Sequence, residues 1–503
     1  MMPMKPSHMT MRKRIFLIHA EHFMVPVVEG LRDHGVDIVL ATTRGGGSYG
    51  PWRDALSAGT PLLHSTEARS MLVPPALVQR SRPAQLSDID NLAPTAARTL
   101  QMIDRMNHKG YSVAELNQTY LNMIGFWRAL IEDLAPDAIV FAKGPPSFGF
   151  DHVLYQLAKA DGLPTVLFRH THIESYVMVT GDIFDVKGPS PSEIETEPSV
   201  PASSSQFASP TNDHLHQQAM NLGVIRKKLS VAGVVRTLIG RRQLGRVEPN
   251  PELLYDPTPR YYELRWQYFK GRLECRRALA LYDSLTEWPD LEKPYVYAPL
   301  AMEPEESTVP FGGSFSDAML TLRILSQSLP KSWRLYVKEH ANQFNRKFLM
   351  SKGRNLHFYE RVRQLPNVTM VPLETHSREL IRKARACALI AGTSGWEALQ
   401  VGTPTVLFGW PWYSRAPGVA QVDGVQSCRR VLARIASEEF RVSLDHVRRY
   451  EKLMREKYLT KLIYSTEFLP FNQMAVGTHL RSYMAEIVRM IGRETPMREV
   501  AKS

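Results

Sequence analysis

The stretch Cys387-Ala-Leu-Ile-Ala-Gly-Thr-Ser-Gly-Trp-Glu-Ala-Leu399 constrains the fold more than any other in the chain. Its apolar run, Ala388 to Ala391, is short, unbroken by polar residues and closed by glycine, as a strand buried on both faces is. Gly392 and Gly395 permit tight backbone geometry, Thr393 or Ser394 can cap a following helix, and Glu397 suits a capping box. Strand, small-residue turn and helix in that order bring unpaired N–H groups and the positive end of a helix dipole to the strand's carboxyl end, where an anion is stabilised. An ordinary capped connection has the same grammar.

The pattern recurs along the chain. A strand over Arg14–Ile18, a helix from Val25 to His34 stopped by Gly35, and a strand over Val36–Leu40 make a βαβ opening, which predicts a parallel sheet. Further strands are expected over 138–142, 164–169, 295–300, 334–340, 368–371, 388–391 and 405–408, with a helical pattern from Leu86 to Leu134. Polar residues gather where strands end: Lys338, Glu339 and His340 after one, Arg169 and His170 after another. Such ends face the ligand crevice of an open parallel sheet. Gly45-Gly-Gly-Ser lacks the spacing of a phosphate loop and reads as a flexible turn.

The expected architecture is therefore α/β, with two Rossmann-like doubly wound domains and a variable, partly disordered middle. Residues 1–185 form the first domain and 186–215 a Pro/Ser-rich linker. Residues 216–290 form a basic and helical segment, 291–465 the second domain, and 466–503 a terminal helix and tail. A chain of 503 residues can bury two such cores.

A net charge of +12 calls for an anionic partner. Arg226, Lys227, Lys228, Arg236, Arg241, Arg242 and Arg246 alternate with apolar residues, so 223–246 reads either as a basic amphipathic helix on an anionic membrane or as a helix packed on the protein. No nucleic-acid motif accompanies these cations, and no nucleic acid is expected. Three scattered cysteines argue against a disulfide framework or zinc cluster and fit a reducing cytoplasm. No apolar run is long enough to span a bilayer, and the short run after Arg14 is interrupted by His19, Glu21 and His22, unlike a signal peptide.

Ala298-Pro-Leu-Ala-Met-Glu-Pro-Glu-Glu-Ser-Thr, Leu335-Tyr-Val-Lys-Glu-His-Ala-Asn-Gln343, Gly392-Thr-Ser-Gly-Trp-Glu-Ala-Leu, Gly402-Thr-Pro and Phe408-Gly-Trp-Pro-Trp-Tyr together resemble the capsular polysaccharide biosynthesis family, which includes Kdo (3-deoxy-manno-octulosonic acid) transferases. The resemblance implies a GT-B architecture, with 1–185 on the acceptor side and 291–465 on the nucleotide-sugar side, and glycosyl transfer from a nucleotide sugar to a bacterial surface glycan, in the cytoplasm or peripherally at the inner membrane. His340 matches the histidine of the family's His-Pro motif and Thr393 with Ser394 its hydroxyl turn, while Ala341 stands where the motif has proline. A CMP-sugar is the favoured donor, with UDP- and GDP-sugars as alternatives; no other cofactor and no metal is expected.

The chemistry needs a departing phosphate stabilised and an acceptor hydroxyl deprotonated. Glu305 and His340 are the catalytic candidates, and Lys338, Glu339, Thr393, Ser394, Gly395 and Glu397 the donor-binding ones. His22, Asp151, Arg169 and His170 are candidates for the acceptor side. A sugar-nucleotide epimerase, a polyol-phosphate transferase and a non-catalytic glycan-binding or export-assembly factor remain alternatives on the same fold.

Overall fold

The computed structural model describes residues 12–44, 50–65, 68, 71, 73–105, 112–171, 173, 176–201, 222–239, 261–303, 305–345, 353–462 and 476–492. The expected glycine-rich turn at 45–48 and the basic residues Arg241, Arg242 and Arg246 lie outside them.

Two sheets form from short, densely buried strands. The first takes β1 (Lys13–Glu21), β2 (Val36–Arg44), β3 (Leu62–His64), β4 (Ala138–Phe141), β5 (Thr165–His170) and β6 (Tyr176–Thr180). The second takes β7 (Tyr295–Pro299), β8 (Arg334–Lys338), β9 (Val368–Met370), β10 (Ala386–Leu389), β11 (Thr405–Leu407) and β12 (Val419–Gln421). A last short strand, β13 (Thr460–Lys461), returns to the first sheet and pairs antiparallel with β6. The strand orders are β13-β6-β5-β4-β1-β2-β3 and β12-β11-β10-β7-β8-β9. The second sheet is parallel throughout, and the first is parallel from β3 to β5. Both are doubly wound, as their unalternating apolar strands predict.

Several expectations change in detail. The helical pattern over 86–134 divides into α1 (Leu86–Arg105) and α2 (Val113–Leu134), because Ser112 and Glu115 form a capping box that starts a new helix. A third helix on this side, α3 (Phe150–Ala160), follows β4. The expected linker is folded over its first part, as α4 (Pro191–Thr196): Ser190 caps it, Pro191 occupies the first turn, and Glu193 closes the capping box. Ile194 is buried, and Glu193 accepts a hydrogen bond from Tyr458 at 3.1 Å. Residues 202–215 of that linker, with 216–221 of the basic segment, lie outside the described residues.

The basic segment packs on the protein. Leu222, Ile225 and Leu229 are buried in the core of the second sheet, and Arg226 pairs with Asp283 at 2.7 Å and Glu374 at 2.6 Å. Its apolar side is therefore not the membrane-facing one. No helix among the described residues is long and apolar enough to cross a membrane.

The terminal helix, Val476–Ile491, docks on the first sheet rather than the second. Tyr483 is fully buried there, its ring 4.8 Å from that of Phe168 on β5. Tyr483→Ala should cost about 3–5 kcal/mol, the range for deleting a large buried ring, read as a lowered melting transition.

Candidate active site

Strand order reverses at β1, flanked by β2 and β4, and at β7, flanked by β8 and β10. Ligands of open parallel sheets sit outside the carboxyl ends of strands at such reversals. The residues predicted for the site fall at these two edges. A concavity of about 650 Å³ lined by Arg128, Ala135, Pro136 and Leu163 lies at the opposite edge, where β4 and β5 begin, and Arg128 there is already paired with Asp88 and Asp161.

At the second sheet, Lys338 ends β8. Its ammonium donates to the carbonyl of Thr375 and to Ser377 Oγ at 3.0 Å, and Tyr297 reaches the same hydroxyl at 3.4 Å. Burial lowers the Lys338 pKa to about 8. His340 follows two residues on, half-buried; its Nδ1 accepts from the Asn342 N–H at 3.2 Å, which puts the ring proton on Nε2.

Between them, Glu339 turns inward and is not available to a nucleotide. It is 2% exposed, and its carboxylate accepts from Arg354 Nε at 3.0 Å, Tyr359 OH at 2.9 Å and the His340 N–H at 2.8 Å. Arg354 continues to Glu303, in the loop after β7, and to the Ala301 carbonyl at 3.1 Å. The cluster thus ties the end of β8 to the loop beyond β7. Burial raises the Glu303 pKa, against the pull of Arg354.

Two strands from β8, across β7, α5 (Thr393–Gln400) begins after β10. Its N-cap is Gly392, which has no side chain to offer, and this corrects the expectation of a Thr393 or Ser394 cap. The Tyr413 hydroxyl lies against this start, donating to the Gly392 carbonyl and accepting from the N–H groups of Gly395 and Trp396, which leaves the N–H groups of the half-buried Thr393 and Ser394 as the helix's anion donors. Gly395 serves packing instead: a Cβ there would lie 2.3 Å from the Tyr413 hydroxyl and 2.9 Å from Thr405. Glu397 lies half-buried one turn into the helix, where burial raises its pKa while Arg378 and Thr393 oppose the shift. At about 4.8 Å per strand spacing, β8 and β10 stand roughly 10 Å apart, a gap that a nucleotide's phosphate and sugar can bridge.

Glu305 sits half-buried in the loop after β7, over the reversal. Its carbonyl accepts from Thr308 N–H at 3.1 Å and Val309 N–H at 3.0 Å, winding the loop into consecutive turns.

At the first sheet the calls divide. His22 is exposed just beyond β1, and His170 is half-buried at the end of β5. Asp151, at the start of α3, is fully buried: it accepts from His19 Nε2 at 2.8 Å and from the N–H groups of Ser147, Phe148 and His152 at 2.8–2.9 Å. Burial opposes ionisation, but His19 and these N–H groups hold the carboxyl below its ordinary range. Asp151 therefore positions His19 and the 147–149 turn and does not itself meet an acceptor. Arg169 is likewise corrected: it is 3% exposed, donates to the carbonyls of Ile183 and Trp410, and stacks 4.0 Å over Phe311. It joins the two halves, as does Arg105, which donates to Ser147 O at 3.1 Å and Val309 O at 2.9 Å.

Sequence reasoning missed His19, Arg354 and Arg105. His19 ends the first apolar strand, and a polar residue in that place was a readable signal. It adopts φ +60°, and its ring lies edge-on to Phe148 and Phe150 with Nδ1 2.9 Å from Ser65 Oγ. Arg354 and Arg105 act across 15 to 204 residues of sequence, and no local pattern marks them.

Residues 292–459 match the family described as capsule polysaccharide biosynthesis protein. The match runs from just before β7 to just before β13, and the resemblance carried by the 298–308, 335–343 and 392–413 motifs is borne out. No curated protein matches the chain. Among solved structures, the beta Kdo 2,7 transferase KpsC of Thermosulfurimonas dismutans is similar at 10% identity and a TM-score of 0.31, covering 76% of this chain and 97% of that one. The calicheamicin glycosyltransferase CalG4 is similar at 14% identity and 0.25, covering 96% and 99%. The UDP-GlcNAc 2-epimerase of Methanocaldococcus jannaschii stands at 9% and 0.22, covering 88% and 99%. Likeness of this size leaves the strand order itself as the basis for the fold.

Replacing Arg354 by alanine strands Glu339 and Glu303 without a counter-charge. The variant should lose about 3–5 kcal/mol of stability. In melts across pH the deficit should narrow as pH falls into the raised range of Glu303, since a protonated carboxyl needs no cation.

Proposed function

We propose that the chain is a glycosyltransferase that moves a sugar, Kdo or a related acidic sugar, from a nucleotide donor to a capsular or other surface glycan. The reading is carried by one arrangement: an uncapped helix N-terminus at Thr393 and Ser394, facing a lysine and a histidine across the reversal at β7. Each is a donor to an anion; the lysine and the helix start are on regular elements, and the histidine stands two residues beyond the end of β8.

In this reading the bond between the anomeric carbon and the phosphate oxygen breaks, and its electron pair leaves on the phosphate. Lys338, His340 Nε2–H and the N–H groups of Thr393 and Ser394 receive the growing negative charge. The acceptor hydroxyl attacks the anomeric carbon, and Glu305 takes its proton. Glu339 and Glu303 act at one remove, through Arg354, by fixing the strand end that aims His340. Protein cations and a helix dipole supply the charge neutralisation, without a metal.

A bound phosphate holds the Lys338 proton that the free protein releases near pH 8. Nucleotide affinity should be full below that pH and fall by up to tenfold per unit above it. At 100 times its dissociation constant a nucleotide adds about 2.7 kcal/mol, a shift of several degrees in a thermal melt. CMP, CDP, UDP and GDP should separate by the size of that shift, with EDTA leaving it unchanged and His340→Ala or Lys338→Met removing most of it. A melt unmoved by all four nucleotides sinks the reading.

In this reading the protein also docks on an anionic membrane surface, through the segment packed on the second sheet. The outward side of 222–239 shows Lys227, Lys228 and Arg236 beside Val224 and Val231, the last 63% exposed. Charge-reversal of Lys227 and Lys228 to glutamate should abolish co-sedimentation with phosphatidylglycerol vesicles, and equal binding by wild type and variant counts against membrane docking here.

A further inference from the structure

One of the places where the two halves meet is the turn after β11. Gly409 follows β11 so closely packed that a Cβ would lie 2.6 Å from the Phe311 carbonyl oxygen and 2.9 Å from that of Ile390. Trp410 comes next. Its N–H donates to Phe311 O at 2.9 Å, its carbonyl accepts from Arg169 of the first half, and Pro411 restricts its backbone from the other side. The main chain of Trp410 is therefore held from both halves of the molecule.

Trp410 is only partly covered. The residue is 39% exposed, whereas Trp412 and Tyr413 just beyond are buried, with Trp412 packed 4.8 Å from Trp396. Burying a large aromatic side chain is among the most favourable contacts available, so an indole left partly in water on a fixed backbone, at the carboxyl edge of both sheets, is a preformed platform for a flat apolar face. The surroundings narrow what that face is. Arg169 feels the carboxylates of Glu306, from the loop after β7, and of Asp185, from the first half. A pyranose presents one face of C–H groups to stack on an indole and a rim of hydroxyl donors for carboxylates and carbonyls. The acceptor-rich edge of a pyrimidine suits such a rim poorly.

We infer that Trp410 is the stacking platform of a sugar subsite, where the acceptor's terminal pyranose rests against the donor. The inference rests on the glycosyltransferase reading and gives it a specificity-determining residue. Saturation-transfer NMR on the full chain, loaded with whichever nucleotide stabilises it most, tests this with methyl β-D-galactopyranoside, methyl β-D-glucopyranoside and methyl N-acetyl-β-D-glucosaminide. At least one glycoside should show transfer concentrated on the C–H protons of one ring face, reduced fivefold or more in Trp410→Ala and retained in Trp410→Phe. The nucleotide-induced melting shift should be the same in all three proteins.

No transfer to any glycoside, or transfer that persists in Trp410→Ala, overturns the subsite and leaves the nucleotide reading standing on its own melt. Loss in Trp410→Ala of transfer to the base protons of the nucleotide, with none to the glycosides, also overturns it by making the indole a nucleobase platform. Should Trp410→Ala fold poorly, the 5-fluorotryptophan resonance missing from Trp410→Phe identifies the indole in the otherwise unsubstituted protein. That resonance should shift on adding the glycoside, and a fixed resonance overturns the subsite.

Discussion

The carboxyl edge of the second sheet depends on a buried ion cluster in which one arginine serves two carboxylates. Arg354 has almost no exposed surface and spans from Glu339, at the end of β8, to Glu303, in the loop after β7. Desolvating three charges is costly, and the cost is met only because nearly every hydrogen-bonding group in the cluster finds a partner. Tyr359, the His340 N–H and the carbonyls of Ala301 and Gly353 complete it, and Arg354 also lies 4.5 Å from the Phe358 ring. An apolar cluster of equal volume would hold the same elements together. It would not fix the direction in which His340 points, because packing lacks the angular preference of a hydrogen bond.

The fold was legible because both sheets are buried on two faces. Strands such as Ile15–Ile18 and Ala138–Phe141 carry no polar residue to alternate, and that feature separates parallel from antiparallel sheets. Helix boundaries were less so: Ser112 with Glu115, and Ser190 with Glu193, are capping boxes readable from residue type, yet the first lay inside a continuous apolar pattern and the second inside a proline- and serine-rich stretch.

The site was legible in position and less so in role. Lys338, His340, Thr393 and Ser394 fall where strand ends predict, because backbone topology places them there. Glu339, Asp151, Arg169 and Gly395 fall at the same edges but face inward, and direction depends on partners far away in sequence: Arg354, His19, Trp410 and Tyr413. Residue type and spacing locate an edge; only packing decides which side chains on it meet solvent.

The return of the chain to the first sheet has a mechanical meaning. The polypeptide passes between the sheets once through the middle segment before β7 and again between Leu459 and Thr460. The second crossing is the shorter one: Leu459 is buried in the same apolar cluster as Leu389 and Leu407 of the second sheet, and the very next residue, Thr460, pairs with Val177 on β6. Neighbouring Cα atoms stand about 3.8 Å apart, so the two halves cannot draw apart at this point without giving up one anchorage or the other.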